Sequence, residues 1–205
     1  MNLNFRNKKR LQVINYIFNK LNEQELSKEF VIKLVYLADK LFLLKYGCTI
    51  TSDKLMAFKR GPACSQTLAI LDMDKDHVED KEDKVIDTFK NVYDVTKRPH
   101  TKKVHTLFAK NLPDNFSSLS KNEMDIIDII IERFGKLSYN ELSNYTHSFN
   151  EWKKHEDALL DDTIAEEIDC KDVFEDKTFL NDELLSKHID EETIQNSAAI
   201  YYGDF

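Results

Sequence analysis

A long apolar stretch over residues 30–44 constrains the fold more than any other part of this sequence, because 12 of its 15 residues are apolar. A helix that is apolar on nearly every side must be surrounded by other parts of the chain. The stretch is too short to cross a bilayer, and it also contains Lys33, Asp39 and Lys40. We therefore predict a buried central helix over residues 30–46.

Glycine and proline are scarce, with 4 and 3 respectively among 205 residues. Because a fold of many strands needs these residues in its tight turns, the composition predicts a mainly α, compact helical domain around the central helix. Apolar side chains at helical spacing predict a first helix over residues 5–22. Residues 51–58 are interpreted as a short helical turn and residues 63–73 as a helix, whereas 90–110 has the composition of a small β-hairpin.

Two capping boxes lie close together in the second half of the chain. Ser120 with Glu123, and Ser138 with Glu141, have the spacing at which each side chain satisfies a backbone N–H group of the other residue. Gly135 lies between the two helices that these boxes begin. The pattern predicts an αα-hairpin with a short turn.

Charge is unevenly distributed along the chain, whose net charge is −8. Residues 151–205 carry a net charge of −12, whereas residues 1–60 carry a net charge of +7. The acidic charges are interpreted either as solvated helix faces or as an appendage that meets a basic partner. We divide the chain into a helical domain over residues 1–152 and an acidic C-terminal extension with short helices over residues 153–205.

Asp39 interrupts an apolar face of the predicted central helix. It shares one stripe with Ile32, Tyr36 and Leu43, because these residues follow helical spacing. A buried carboxylate without a partner costs several kcal/mol, so Asp39 is expected to contact a cation or several N–H donors. An internal ion pair, a clamp on a loop and a role in partner binding all remain open.

The Gly61-Pro62 dipeptide must break the chain between two elements, because proline lacks an N–H and Gly61 is expected at positive φ. The two cations before it, Lys59 and Arg60, have two interpretations. One of them pairs with Asp39, or both project outward as an interaction loop.

His147 and Trp152 form the third polar feature of the sequence. His147 ends a short predicted helix, where the helix dipole favours a positive imidazole. Trp152 is the single tryptophan of the chain, and it is interpreted either as core packing or as an interface anchor.

The sequence lacks the motifs that bind nucleotide phosphates and those of zinc proteases, zinc deaminases and serine hydrolases. Cys48, Cys64 and Cys170 are widely spaced, which fits neither a zinc site nor a disulfide framework and is typical of a reducing cytosol. No apolar core follows the charged N-terminus, so we expect no signal peptide. These features predict a cytoplasmic protein that is not an enzyme, with no metal, no cofactor and no membrane partner.

Three segments and a tryptophan, in this order, resemble the Panacea domain, which is also called the phage-associated or SocA-like antitoxin domain. The resemblance covers residues 10–152, and the acidic region lies outside it. The matching parts are KLVYLADKLFLLKYG at 33–47, ITSDKLMAFKRGPACS at 50–65, LSKNEMDIIDIIIERFGKLSYNELSNYTH at 119–147, and Trp152.

The resemblance implies an antitoxin of a prokaryotic toxin–antitoxin system that neutralises a cognate protein toxin, encoded by an adjacent gene, through direct binding. It also implies an alternative, a proteolytic adaptor that delivers its partner to a protease. A DNA-binding autoregulator is a third alternative, because residues 1–60 are basic, although they contain no clear helix-turn-helix motif. The resemblance implies no catalytic residues, and it assigns partner-binding or structural roles to Tyr36, Asp39, Lys59, Arg60, Gly61, Pro62, His147 and Trp152.

Overall fold

The fold of the protein was obtained as a computed structural model, which describes residues 3–79, 83–98, 104–161 and 164–203. Its helices are α1 (Phe5–Leu21), α2 (Lys28–Tyr46), α3 (Ser65–Asp72), α4 (Asp83–Val92), α5 (Lys121–Phe134), α6 (Tyr139–His147), α7 (Asn150–Lys153), α8 (Cys170–Glu175) and α9 (Glu191–Tyr202). Its strands are β1 (Glu25–Ser27), β2 (Leu55–Phe58), β3 (Gly61–Cys64), β4 (Tyr93–Lys97), β5 (Val104–Ala109) and β6 (Ala165–Glu167).

Helix α2 is the centre of the fold, which confirms the predicted buried helix. Its N-terminus is capped by the Ser27 side chain, which accepts a hydrogen bond from the Phe30 N–H. Gly47 ends it in the left-handed conformation. Helices α1, α5, α6 and α9 all pack against α2, so its apolar side chains are covered from several directions. Among the described residues, no helix combines the length and the apolar character needed to cross a membrane.

The prediction of a mainly α fold is wrong, because the protein also contains two three-stranded antiparallel sheets. Of the described residues, 55% are helical and 13% lie in strands. The first sheet has the strand order β1-β5-β4 and the second has the order β3-β2-β6. Strands β1 and β6 have three residues each and join their sheets from distant parts of the chain, so no tight turn marks them in the sequence.

Two local predictions also need correction. Residues 51–58 do not form a helical turn, because β2 occupies the second half of this segment. The helix expected over 63–73 is shorter, since β3 precedes it and α3 begins only at Ser65. By contrast, the hairpin expected within 90–110 is present as the antiparallel pair β4 and β5.

Both capping boxes are confirmed, and they begin α5 and α6. The Ser120 and Ser138 hydroxyls accept hydrogen bonds from the N–H groups of Glu123 and Glu141, and the glutamate side chains bond back to the serine N–H groups. Gly135 caps the C-terminus of α5, so the two helices follow each other across a short turn.

The acidic C-terminal part packs against the rest of the chain. Strand β6 pairs with β2, and α9 lies against α2. Some of the acidic side chains form ion pairs with cations from elsewhere in the chain, among them Glu167 with Lys54 and Asp182 with Arg133. The buried apolar residues in the described portion of this part are Leu159, Ile168, Val173, Phe174, Phe179, Leu185, Ile189 and Ile194.

Candidate functional site

The β2–β3 hairpin is the centre of the candidate site. Phe58 pairs with Gly61 across the two strands, so Lys59 and Arg60 form the two-residue loop between them. Gly61 has a φ of +94°, which confirms the expected positive φ. This conformation is strained for residues that carry a Cβ atom.

Helix α2 holds the hairpin through Lys33, which sequence reasoning did not select. The Lys33 Nζ is 2.8 Å from the Pro62 carbonyl oxygen, to which it donates a hydrogen bond, and the residue is 3% exposed. Burial lowers the pKa of Lys33 to about 7. A Cβ atom at Gly61 would lie 2.7 Å from the His147 Cδ2 and closer still to the Lys33 Nζ. Glycine is therefore required here both by its φ and by its neighbours.

His147 and Trp152 hold the hairpin from the other side. Their rings are stacked, with centroids 4.1 Å apart and planes inclined by 3°. The Trp152 Nε1–H donates to the Phe58 carbonyl oxygen at 2.9 Å, and Trp152 itself is buried. The His147 Nε2 is buried and has no hydrogen-bond partner among the described residues. Burial, together with the nearby Lys33 cation, lowers the pKa of His147, which opposes the effect expected from the helix dipole.

The loop cations project outward, which was one of the two placements considered. The Lys59 Nζ donates to the Leu160 carbonyl oxygen at 2.7 Å, and the Arg60 guanidinium lies 3.9 Å from a carboxylate oxygen of Glu29. Both residues are exposed, and the predicted pairing of either one with Asp39 is wrong. The hairpin therefore presents two cations to solvent on a firmly held backbone.

Asp39 acts as a clamp on the loop that follows α2. It is fully buried, and its Oδ1 accepts hydrogen bonds from the N–H groups of Ile50 at 2.9 Å and Thr51 at 3.0 Å. Its Oδ2 accepts from the Thr51 hydroxyl, at short distance, and from the Cys64 thiol at 3.3 Å. Burial raises the pKa of Asp39 to about 7, although the hydrogen bonds from Thr51 and Cys64 act against this rise.

Tyr36 belongs to a separate buried polar cluster. Its hydroxyl donates to the Glu151 Oε1 at 3.0 Å, and the Lys40 Nζ lies 2.5 Å from the same oxygen and 3.0 Å from the Asp176 Oδ1. The Lys40 ammonium also lies 3.6 Å from the centre of the Phe149 ring. Burial raises the pKa of Glu151. Burial alone would also raise the pKa of Asp176, but Lys40 and two backbone N–H groups hold it below its ordinary value.

The structure thus brings Gly61, Pro62, His147 and Trp152 together and places Tyr36 and Asp39 in two other clusters. The residues that sequence reasoning missed were Lys33, Lys40 and Glu151. Lys33 and Lys40 had a detectable signal, because each is a cation within a helix that is otherwise apolar on almost every side. Glu151 had none, since it lies in an acidic region where one more carboxylate is not conspicuous.

A cavity of about 320 Å³ opens beside the hairpin, between α2, β2 and α3. Lys33, Gly61 and Ala63 belong to its wall, and the exposed cations of the hairpin loop stand at its edge. Two of the cations in its lining form ion pairs within the protein. Lys28 contacts Asp72 at 2.6 Å, and Arg98 contacts Glu29 at 2.5 Å. The apolar residues that line it are Ile32, Phe58, Ala63, Leu68 and, in part, Tyr139.

We expect Asp39→Ala to lower the free energy of unfolding by about 2–4 kcal/mol, because the buried N–H groups of Ile50 and Thr51 would lose their acceptor. Denaturant unfolding monitored by circular dichroism measures this loss. Asp87→Ala is the matched control, since Asp87 is exposed on α4 and should change stability by less than about 0.5 kcal/mol. Equal effects of the two substitutions would contradict the clamp.

The Asp39 clamp should also make stability depend on pH. With a folded pKa of about 7 against an ordinary 3.8, Asp39 binds a proton in the folded protein that the unfolded chain has released. The stabilisation by Asp39 is therefore greatest at low pH and decreases as pH rises from about 4 to about 7. The difference in unfolding free energy between wild type and Asp39→Asn isolates this group. It should shrink by a few kcal/mol over that interval, and a constant difference would refute the assignment.

The comparison with known families identifies the family to which this protein belongs. Residues 31–153 match the family model described as antitoxin SocA-like, Panacea domain. This match covers more than half of the sequence, so the chain belongs to the SocA-like antitoxin family with a Panacea domain, as the resemblance predicted. Comparisons with curated proteins and with solved structures gave no match. The matched region contains the whole β2–β3 hairpin and ends before β6 and α8.

Proposed function

We propose that this protein neutralises a cognate protein toxin in the cytoplasm by direct binding and catalyses no reaction. The observation that carries the proposal is the family match, since the family is named for its antitoxins and the match spans both the hairpin and the residues that hold it. The toxin is proposed to be the product of an adjacent gene.

The hairpin face is the proposed binding surface. Its loop exposes Lys59 and Arg60, while Lys33, His147 and Trp152 fix the backbone beneath them. A surface that is already ordered loses little conformational entropy on binding, so more of the contact energy contributes to affinity. Cations on such a surface favour rapid association with an acidic patch on the partner.

Co-expression with the product of the adjacent gene tests the proposal. We expect the wild-type protein to relieve the growth arrest that this product causes. Lys59→Glu combined with Arg60→Glu should weaken the relief, because like charges would face each other across the interface. The amount of protein required for relief should rise at least about tenfold. Lys8→Glu combined with Lys121→Glu is the matched control, since it makes the same charge change at exposed sites elsewhere.

The outcomes separate the proposal from its alternatives. A failure of the wild-type protein to relieve the arrest would overturn the antitoxin assignment for that gene pair. Relief that requires a host protease, with a shortened half-life of the toxin, would support the proteolytic adaptor. Binding of the purified protein to operator DNA at low salt, with affinity that falls steeply as salt rises, would support the DNA-binding autoregulator.

A further inference from the structure

Lys33 differs from the other buried cations of the protein. Arg10, Lys28 and Lys40 each form an ion pair with at least one carboxylate. In the part of the chain that the structure describes, Lys33 instead has the Pro62 carbonyl as its hydrogen-bond partner and forms no ion pair. A buried ammonium without a counter-charge costs several kcal/mol, so this position is costly unless something else offsets it.

Lys33 also lies on the wall of the cavity beside the hairpin. An ammonium has three N–H donors, and the hydrogen bond to Pro62 uses one of them. The cavity therefore offers unused hydrogen-bonding capacity on Lys33, and an anion bound there would favour the charged form of a lysine whose pKa is lowered by burial to about 7.

The remaining lining determines which ligand would fit. Five cations and two carboxylates line the cavity, so its charge favours an anion. Phosphate is less well matched, because Lys59 and Arg60 stand at the exposed edge and the side chains of Ile32, Phe58 and Leu68 supply no donor for its remaining oxygens. A group with one negative charge that is attached to an apolar group would pair with Lys33 and would also contact the apolar side chains of the cavity wall. The volume, about 320 Å³, lies at the small end of ligand-binding sites.

We propose that this cavity receives a carboxylate side chain of the protein partner, which pairs with Lys33 while a neighbouring apolar group of the partner contacts Ile32, Phe58 and Leu68. The inference rests on the proposed function, because the partner is the toxin of that proposal. We favour a protein over a free carboxylic acid as the source of the carboxylate. The exposed cations Lys59 and Arg60 extend the positive surface beyond the cavity itself, so they can contact a larger partner.

The chemistry can be tested before the toxin is known. The probes are the capped tripeptide acetyl-Phe-Glu-Leu-amide and its glutamine analogue, and binding is followed by chemical-shift changes in NMR spectra of the full-length protein. We expect the glutamate peptide to bind at least about tenfold more tightly than the glutamine peptide, because a hydrogen bond to a charged group is worth more than one to a neutral group.

Lys33→Met should abolish this preference, since methionine has a similar length but neither charge nor donors. Lys121→Met is the control for loss of one positive charge, because Lys121 is exposed on α5, away from the cavity, and this variant should keep the preference. If Lys33→Met does not fold, Lys33→Gln replaces it, because glutamine retains a donor for the Pro62 carbonyl. A preference that persists without Lys33 would overturn the proposal.

Three further outcomes show which part of the account fails. Binding of 3-phenylpropionate that depends on Lys33, without binding of the glutamate peptide, would overturn the partner side chain as the source and assign the site to a free carboxylic acid. Equal relief of growth arrest by wild type and Lys33→Met would overturn this inference while leaving the antitoxin function intact. Failure of the wild-type protein itself to relieve the arrest would instead concern the proposed function.

Discussion

Truncation after Lys154 is expected to unfold this protein, although the lost segment lies entirely outside the family match. Strand β6 would no longer cover the edge of β2, and α9 would no longer cover α2. The truncated chain should show neither a cooperative thermal transition nor dispersed NMR signals.

The physical reason is the amount of apolar surface that the segment buries. Ile168, Val173, Phe179, Leu185 and Ile194 are each at most 4% exposed. Burying such side chains contributes about 1.5–3 kcal/mol each before the entropy of ordering is subtracted, which is comparable in sum with the net stability of a whole domain. Truncation also removes Asp176 from Lys40 and so disrupts the buried polar cluster around α2.

Point variants on α9 serve as controls in the full-length protein. Ile194 is 3% exposed and Ile200 is 51% exposed on the same helix. Ile194→Ala should therefore cost about 2–5 kcal/mol, whereas Ile200→Ala should cost less than about 1 kcal/mol. A truncated protein that folds with an unchanged melting temperature would show that the acidic segment is dispensable for the fold. It would then favour the other interpretation of the sequence, in which this segment meets a basic partner.

Gly61→Val should destabilise the protein by about 3 kcal/mol or more. A β-branched residue is strained at a φ of +94°, which costs roughly 1–3 kcal/mol. The added side chain would also push against the Lys33 Nζ and the His147 ring, and such overpacking costs about 1–3 kcal/mol more. Toxin neutralisation should fall as well, because the proposed binding loop would lose its fixed position.

Gly203→Val separates these two causes. Gly203 also has a positive φ, +73°, but a Cβ atom added there meets no atom within 4 Å. We expect this control to show the backbone strain without the crowding, and hence a smaller loss measured by denaturant unfolding. Equal losses at the two glycines would mean that the contacts of Lys33 and His147 with Gly61 do not matter for stability.

The parts of the fold that were predicted correctly are those with a local physical signal. The two capping boxes begin α5 and α6 as predicted, because caps depend on residues only a few positions apart. Strands β1 and β6 were missed, since three residues cannot display an alternating pattern and their partners lie far away in the sequence. The prediction of a mainly α fold failed for this reason, and because the segments of β2 and β3 were interpreted as helical.

In the candidate site too, the features with a local signal in the sequence were predicted and the features without one were not. The break at Gly61-Pro62 and the unusual positions of His147 and Trp152 were visible in the sequence, and the structure places them in one cluster. The partner of Asp39 was not predictable, because sequence shows that a buried carboxylate needs compensation but not whether backbone N–H groups or a cation supply it. Here the loop after α2 supplies the donors, and Lys59 and Arg60 are exposed at the hairpin loop.

Titration of the purified product of the adjacent gene with this protein tests the central claim, neutralisation by direct binding, most directly. The toxin's activity and the amount of intact toxin are followed together, without any protease present. We predict that activity is lost at a fixed molar ratio, that a complex of the two proteins is isolated, and that active toxin is recovered when the complex is dissociated in denaturant and refolded alone. Undiminished toxin activity at every ratio, with no isolable complex, would contradict the account.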